Sequence, residues 1–303
     1  MAHKETWGAQ GTQIHPCFNE HACNQVRVHL PVAPRCNIQC NYCSRSYDCV
    51  NESRPGVSSA VLGPTQALDR YKAFKGQFAS ISVVGIAGPG DALANFDETA
   101  ETLRLVRAYD PTVAFCLATN GLDLPLRVAD LVSLGVSHVT VTVNAIDPRI
   151  GARIYAYIRH QGRVYTGTEG AAILQANQLE GIRMLKEAGL ACKVNCVALK
   201  GINLGHISAV TKKAAQMGAC VANIMPHIPV AQTLFAGLGR ISHQELASLR
   251  AACKAHIPQM THCRQCRADA AGPLGRSLSN FLDEEACAPG TCRKHDSPPL
   301  QVA

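Results

Sequence analysis

The sequence is short of charge. Only 17% of its 303 residues are Asp, Glu, Lys or Arg, a low fraction for a water-soluble chain. It has no membrane-length apolar run, since nothing approaches the roughly 18 consecutive apolar residues of a spanning helix. The opening "MAHKETWGAQGTQ" has no apolar segment of the signal-peptide kind. These absences predict a cytoplasmic protein with no membrane partner. Although the net charge is +7, there is no polybasic block with interleaved aromatics, so nucleic acid is not an expected partner. Scattered positive charge suits anionic ligands instead. Internal repeats and low-complexity segments are missing, and so is the full dinucleotide fingerprint G-x-G-x-x-G.

Cysteine is abundant. Fifteen cysteines in a cytoplasmic chain cannot form a disulfide framework, because thiols stay reduced there. Some are expected to be small buried apolar residues, and the clustered ones to bind metal. The segment "APRCNIQCNYCSRSYDC" (33–49) sets Cys36, Cys40 and Cys43 at C-x₃-C-x₂-C, with Cys49 close behind. Structural zinc prefers two close pairs of ligands. Three thiolates can hold a 4Fe–4S cluster with one iron open to chelation, whereas the usual complement is four. Cys49 is an available fourth ligand, so a zinc knuckle and a four-cysteine ferredoxin-like site both stay open on the residues alone.

Short β-prone runs alternate with helical patterns. "VRVHLPV" (26–32), "ISVVGIAG" (81–88), "TVAFCLAT" (112–119), "HVTVTVN" (138–144), "CKVNCVAL" (192–199) and "CVANIMP" (220–226) read as strands, several almost continuously apolar. Strands buried on both faces of a parallel sheet look like this. Between them, Phe96, Ala100, Leu103 and Val106 follow helical spacing, with Asp97 and Glu98 in the first turn. Ala171, Leu174, Leu179, Ile182 and Leu185 form a second stripe, ended by Gly189. Six such units predict a parallel α/β fold, an open sheet or a barrel, and a partial (β/α)6 TIM-like barrel is preferred over the closed eight-unit form. The Pro-rich, polar end "EEACAPGTCRKHDSPPLQVA" reads as a loose tail.

In such folds functional groups gather on loops after the strands' C-terminal ends. The cysteine triplet follows the first strand and "GIAGPGD" (85–91) the second. Gly88 and Gly90 would let backbone approach a ligand closely, and Asp91 would be a charged partner or a helix cap. Thr140, Asn144 and Asn195 are candidate polar ligand contacts or satisfied groups inside the barrel. Cys263 and Cys266 form a C-x₂-C pair, which alone is half a metal site. Cys116 lies in an apolar strand, where a buried, inert thiol is the ordinary expectation.

"CNIQCNYC", with Tyr42 just before the third cysteine, resembles the cluster loop of radical S-adenosylmethionine (SAM) enzymes. "HPCFNE" (15–20), the rest of 28–57, "GIAGPGDALAN" (85–95), "ATNGL" (118–122), "HVTVTVNAIDPRIGARIY" (138–155) and "HCRQCRADAAGPLG" (262–275) are similar to the nitrogenase-cofactor maturases of that superfamily. The similarity runs from about residue 15 to 275.

The resemblance implies fusion of two 4Fe–4S clusters with a SAM-derived carbide and added sulfur, giving the 8Fe–9S–C cofactor precursor. One SAM donates a methyl group, and a second yields a 5'-deoxyadenosyl radical that abstracts hydrogen from that methyl. The cofactors implied are SAM and three 4Fe–4S clusters, one SAM-cleaving and two of them substrates. Cys36, Cys40 and Cys43 would hold the SAM-cleaving cluster. Cys17, Cys263 and Cys266 would hold one substrate cluster, with His15 and His262 as further ligands or as hydrogen-bonding neighbours. Cys49 and Cys116, in the context Cys116–Thr119–Asn120–Gly121, would serve the other, with His29 as a nitrogen ligand or a core histidine. Glu52 would be a displaceable ligand or proton acceptor. Gly88, Gly90, Asp91, Asn120, Thr140, Asn144 and Asn195 would contact SAM.

The partners implied are iron–sulfur cluster donors, downstream scaffold or carrier proteins for the nitrogenase cofactor, and a low-potential electron donor. The expected organisation is an N-terminal arm (1–25), the partial barrel (26–240), and a C-terminal helix, C-x₂-C segment and tail (241–303). A carrier-like second domain is absent from the sequence, so a minimal form is expected. Cys23, Cys192, Cys196, Cys220, Cys253, Cys287 and Cys292 fall outside the family pattern. Two alternatives remain: another radical SAM maturase with auxiliary clusters, and an iron–sulfur scaffold or electron carrier.

Overall fold

The computed structural model describes residues 12–276; Cys287, Cys292 and the tail lie outside them, as does the start of the N-terminal arm. In chain order the strands and helices are β1 (Arg27–His29), β2 (Ile38–Cys40), α1 (Pro64–Gln77), β3 (Val83–Ile86), α2 (Phe96–Tyr109), β4 (Ala114–Thr119) and α3 (Leu124–Ser133). They continue with β5 (Val136–Thr142), α4 (Pro148–Ile154), β6 (Tyr155–His160), β7 (Arg163–Tyr165), α5 (Gly167–Glu187) and β8 (Ala191–Ala198). The last are α6 (Ile207–Met217), β9 (Val221–Pro226), α7 (His243–Lys254) and β10 (Ala271–Gly272).

The main sheet runs β10-β1-β3-β4-β5-β8-β9 and curls into a half-barrel. Its six parallel members, β1, β3, β4, β5, β8 and β9, are the six runs expected from the sequence, and β10 pairs antiparallel with β1. β3 and β5 are buried along their whole lengths, because helices cover one face and the curl encloses the other. Ala100, Leu103 and Val106 of α2 are buried as expected, while Phe96 is only half-buried under the Arg127 guanidinium. On α5 the stripe differs by one residue. Gln178, not Leu179, is buried, and its Nε2 donates to the carbonyls of Asn120 and Thr142 at 2.9 and 2.8 Å, joining β4 to β5. Gly189 follows α5 at φ +76°, a left-handed position that suits glycine.

A second sheet, β2-β6-β7, is antiparallel and was not expected. It pins the cysteine loop: Cys40 registers with Tyr155, Asn41 N donates to Ile154 O, and Arg159 N donates to Asn37 O.

The C-terminal segment pairs along both edges of the curl, and both ends of the described chain line its inner cavity. Ala222 N donates to Pro258 O, Met260 N to Ala222 O and His29 N to Ala270 O, while His262 Nε2 donates to Pro16 O at 2.9 Å. Among the described residues no helix is long and apolar enough to cross a membrane. Alternation along the strands turns one set of side chains inward, including Cys116 and Ala118, Thr140, Lys193 and Asn195, and Asn223 and Met225.

Candidate active site and cluster cavities

Two cavities lie inside the curl, sharing Glu52 and Ala118 in their walls. The first offers about 380 Å³ of empty space, part of it open to solvent, near the strands' C-terminal ends. Cys36, Cys40, Cys43 and Cys49 line it on one side, and Gly90, Asp91, Thr119, Asn120 and Thr142 on the other. Burial pushes the Cys36 thiol up to about 12 and the Cys40 and Cys49 thiols well above their ordinary range, with the neighbouring thiols adding to the effect. Loading metal here must therefore displace protons. Among the described residues no three or more His, Cys, Asp or Glu are arranged to hold a single metal ion; the thiols line the walls of larger spaces.

The loop after β3 is shaped by contact with the cysteine loop. A Cβ on Gly90 would sit 2.2 Å from the Arg35 carbonyl oxygen and 2.7 Å from that of Ala33. Glycine is thus required at 90 by the approach of protein backbone, not by a ligand, while its own backbone still faces the cavity. Gly88 is set instead by φ +132° and does not line the cavity. The Asp91 carboxylate accepts from the backbone N–H of Leu93, Ala94 and Asn120 and from Thr119 Oγ1. It latches the β3 loop to the β4 loop, which is the capping role and more. Burial still raises its pKa, against those hydrogen bonds. Asn120 Nδ2 donates to Asn37 Oδ1 at 2.6 Å and lies 3.7 Å from Cys36 Sγ. Asn144 lines neither cavity. Its Nδ2 donates to the Tyr42 hydroxyl and its Oδ1 accepts from Val197 N, so it stiffens the wall behind the triplet.

The second cavity, about 570 Å³, lies further toward the N-terminal ends of the strands. Cys17, Cys116, Cys263 and Cys266 line it, with His15, His29, Glu52, Thr140, Lys193 and Asn195. Thr140 and Asn195, expected near SAM, face this space instead. The structure brings Cys17 together with the C-x₂-C pair, as expected. It also places Cys116 and His29 with them, both against Gly85, while Cys49 stays with the triplet across Glu52. Burial pushes Cys116 up to about 12 and also raises Cys17.

Hydrogen bonds decide what each imidazole can do. His29 Nδ1 donates to Arg267 O at 3.1 Å, which leaves a lone pair on Nε2, as in metal-ligating histidines. Burial lowers its pKa to about 4, with Arg27 adding to the effect, so the ring is neutral and ready to ligate. His15 is the reverse. Its Nδ1 accepts from Cys17 N at 3.1 Å, so the neutral ring carries its proton on Nε2, a buried atom with no partner. In that tautomer Nε2 is a hydrogen-bond donor, the neighbour's role of the two expected for His15. His262 is spent on Pro16 O through Nε2 and is not in the cavity wall.

Glu52 accepts from Thr142 Oγ1 on Oε1 and from Asn195 Nδ2 on Oε2, both at 3.1 Å. Burial raises its pKa to about 8, so at neutral pH it is mainly the acid, and it must lose that proton before it ligates or accepts one. Two cations went unnoticed in the sequence. Arg27 Nη2 donates to Cys266 Sγ at 2.8 Å. Lys193 is buried; burial lowers its pKa, but Cys17, Glu52, Cys263 and Cys116 together raise it overall. A charged residue alternating with Asn195 inside an apolar strand was the available signal. Cys192, Cys196 and Cys253 are ordinary core thiols, and Cys220 is exposed.

The model of the Radical SAM superfamily matches residues 30–214. The chain belongs to the radical SAM superfamily. It is 46% identical over 269 residues to the FeMo cofactor biosynthesis protein NifB of Chlorobaculum tepidum, covering 88% of this chain and 63% of that protein. It is 48% identical over 276 residues to NifB of Klebsiella pneumoniae (89% and 59% covered). To NifB of Bradyrhizobium diazoefficiens it is 49% identical over 280 residues (91% and 56%). The chain thus spans about three-fifths of the length of these curated relatives. The fold resembles the crystal structure of Streptococcus suis SuiB bound to S-adenosylmethionine, with TM-score 0.53, 14% identity, and 76% of this chain and 46% of that chain covered. Radical SAM proteins carry a 4Fe–4S cluster and SAM. The first cavity fits that pair, because three thiols at the family spacing face a wall of backbone and side-chain polar groups across one space.

Proposed function

We propose that this chain is a maturase that fuses two 4Fe–4S clusters with a SAM-derived carbide and added sulfur, giving the 8Fe–9S–C precursor of the nitrogenase cofactor. The observation that carries the reading is the pair of adjoining cavities with Glu52 in their common wall. One has the cysteine triplet and a polar wall, and the other has four further thiols and a ligation-ready imidazole. The likeness to NifB proteins over most of the chain supports it.

In this reading Cys36, Cys40 and Cys43 hold the SAM-cleaving cluster, while the Gly90 backbone, Asn120 and Thr142 orient SAM. When bound, the cluster and SAM supply the methyl donor and the reductive cleavage that gives the 5'-deoxyadenosyl radical. Cys17, Cys263 and Cys266 grip one substrate cluster. Cys116 and His29 hold the other, and Cys49 completes that set from across Glu52, at the boundary with SAM. Glu52 would give up its proton on meeting iron. Partners of this activity are iron–sulfur cluster donors, a low-potential electron donor and a cytoplasmic carrier for the product. The test is the EPR spectrum of the reduced, anaerobically reconstituted protein with and without SAM. A cluster signal altered by SAM, together with an 8Fe product, supports the reading; a spectrum indifferent to SAM contradicts it.

A further inference from the structure

The inner cavity contains a cation that no described residue meets with a hydrogen bond or an opposite charge in an ion pair. Lys193, on β8, is 6% exposed. Among the described residues its ammonium makes neither a hydrogen bond nor an ion pair, and its one ring contact is the Phe18 face, 5.7 Å to the centre. The Glu52 oxygens are taken by Thr142 and Asn195. Arg27, the other buried cation here, is anchored to the carbonyls of Gly272 and Pro273 and to Cys266 Sγ. Burying an unpaired ammonium is strongly unfavourable. His15 Nε2, Arg27 Nε and Asn223 Oδ1, from residues in or beside the same wall, are buried without hydrogen-bond partners. A space built with these loose ends is made for an anionic, polar body.

Resting on the reading above, we propose that Lys193 is a positioning residue, the counter-ion that holds an anionic, thiolate-ligated iron–sulfur cluster in the inner cavity. Each thiolate adds negative charge to a cluster, and reduction adds more. Lys193 shares one cavity wall with Cys17, Cys116, Cys263, Cys266 and Glu52, so its ammonium faces the ligand set as a whole and is not tied to one member. A lysine suits this place better than an arginine. Its ammonium is a compact charge on a flexible stem, without a rigid fork that demands fixed partners. It can follow a cluster whose ligands change, whereas Arg27 cannot leave its carbonyls.

The test uses the full chain carrying Cys36→Ala, Cys40→Ala and Cys43→Ala, which isolates the inner sites, reconstituted anaerobically with ferrous iron and sulfide. Lys193→Met and Lys193→Arg are compared in that background. In Lys193→Met the iron concentration for half-saturation should rise on the order of tenfold, and the inner cluster's midpoint potential, read by EPR-monitored titration, should fall. Lys193→Arg should restore most of both. Metal-free Lys193→Met should melt no lower than its parent, because an unpaired buried charge has gone. Unchanged iron affinity and potential in Lys193→Met would overturn the proposal, as would a lowered melting temperature of its metal-free form, which would make Lys193 structural. A parent that binds no inner iron at all would instead refute the cluster reading on which the proposal rests.

Discussion

His29 Nδ1 stands 3.1 Å from the Arg267 carbonyl oxygen, and that one bond turns the imidazole's lone pair toward the inner cavity. The same segment that brings Cys266 to the site therefore also sets the tautomer of a residue more than two hundred positions earlier. His15, turned the other way by Cys17 N, presents a proton. Pulsed EPR of the reduced inner cluster should show strongly coupled imidazole nitrogen in the parent and in His15→Leu, and none in His29→Leu. Iron affinity should fall about tenfold or more in His29→Leu. Coupling that survived His29→Leu and vanished in His15→Leu would reverse the assignment.

The grouping of thiols predicts a division of labour. In Cys263→Ala/Cys266→Ala, one cluster signal should disappear while methyl transfer and deoxyadenosine formation persist. Cys116→Ala should lose methyl transfer. Quantifying transferred methyl and deoxyadenosine in the two variants checks this, and the opposite pattern would mean the two substrate sites are interchanged.

Acid should destabilise the metal-free protein. Burial holds His15 well below its ordinary pKa and lowers His29 and His138 to about 4, against 6.5 in the unfolded chain. Below about pH 6.5 the unfolded state takes up protons that the fold refuses, so stability falls from there toward pH 4. Glu52 acts oppositely. Its folded value of about 8, against 4.5 unfolded, gives stability that is full below 4.5 and is lost as pH rises through 8. His227, also lowered to about 4 by burial, adds to the acid side, while Asp91 and Asp123, raised by burial, side with Glu52. The histidines are the more numerous, so the urea midpoint should peak at about pH 6–7 and drop more steeply on the acid side. A midpoint climbing steadily down to pH 5 would contradict this.

Gly90 tests the loop geometry. The Cβ of Gly90→Ala would meet two backbone carbonyls, which cannot swing aside, so the cost should be about 2–3 kcal/mol by urea denaturation. Gly205→Ala, with nothing within 4 Å of the added atom, should stay within about 0.5 kcal/mol. Equal effects at the two positions would show that the loop yields.

The parallel sheet was legible because its strands are continuously apolar, and the triplet because its spacing is specific. The β2-β6-β7 sheet was hidden: β2 is three residues inside a cysteine loop, and β6 follows α4 directly, with no turn residue to announce it. Lys193 has no signal of its own in the sequence, because an apolar strand reads as core until the inward face is known. Gln178 took the buried place given to Leu179 because two free carbonyls at the ends of β4 and β5 needed a donor. The pairing of Cys116 with Cys17 in one cavity depends on strand register, which spacing alone does not contain.

In the proposed function one SAM-cleaving cluster adjoins a cavity that takes two more. Iron counting on the anaerobically reconstituted full chain, in parallel with the Cys36→Ala/Cys40→Ala/Cys43→Ala variant, tests it most directly. The parent should bind about twelve irons, as three four-iron clusters, and the variant about eight, with deoxyadenosine formation abolished. A parent that saturates near four irons yet makes the 8Fe product, or a triple variant that still cleaves SAM, would contradict it.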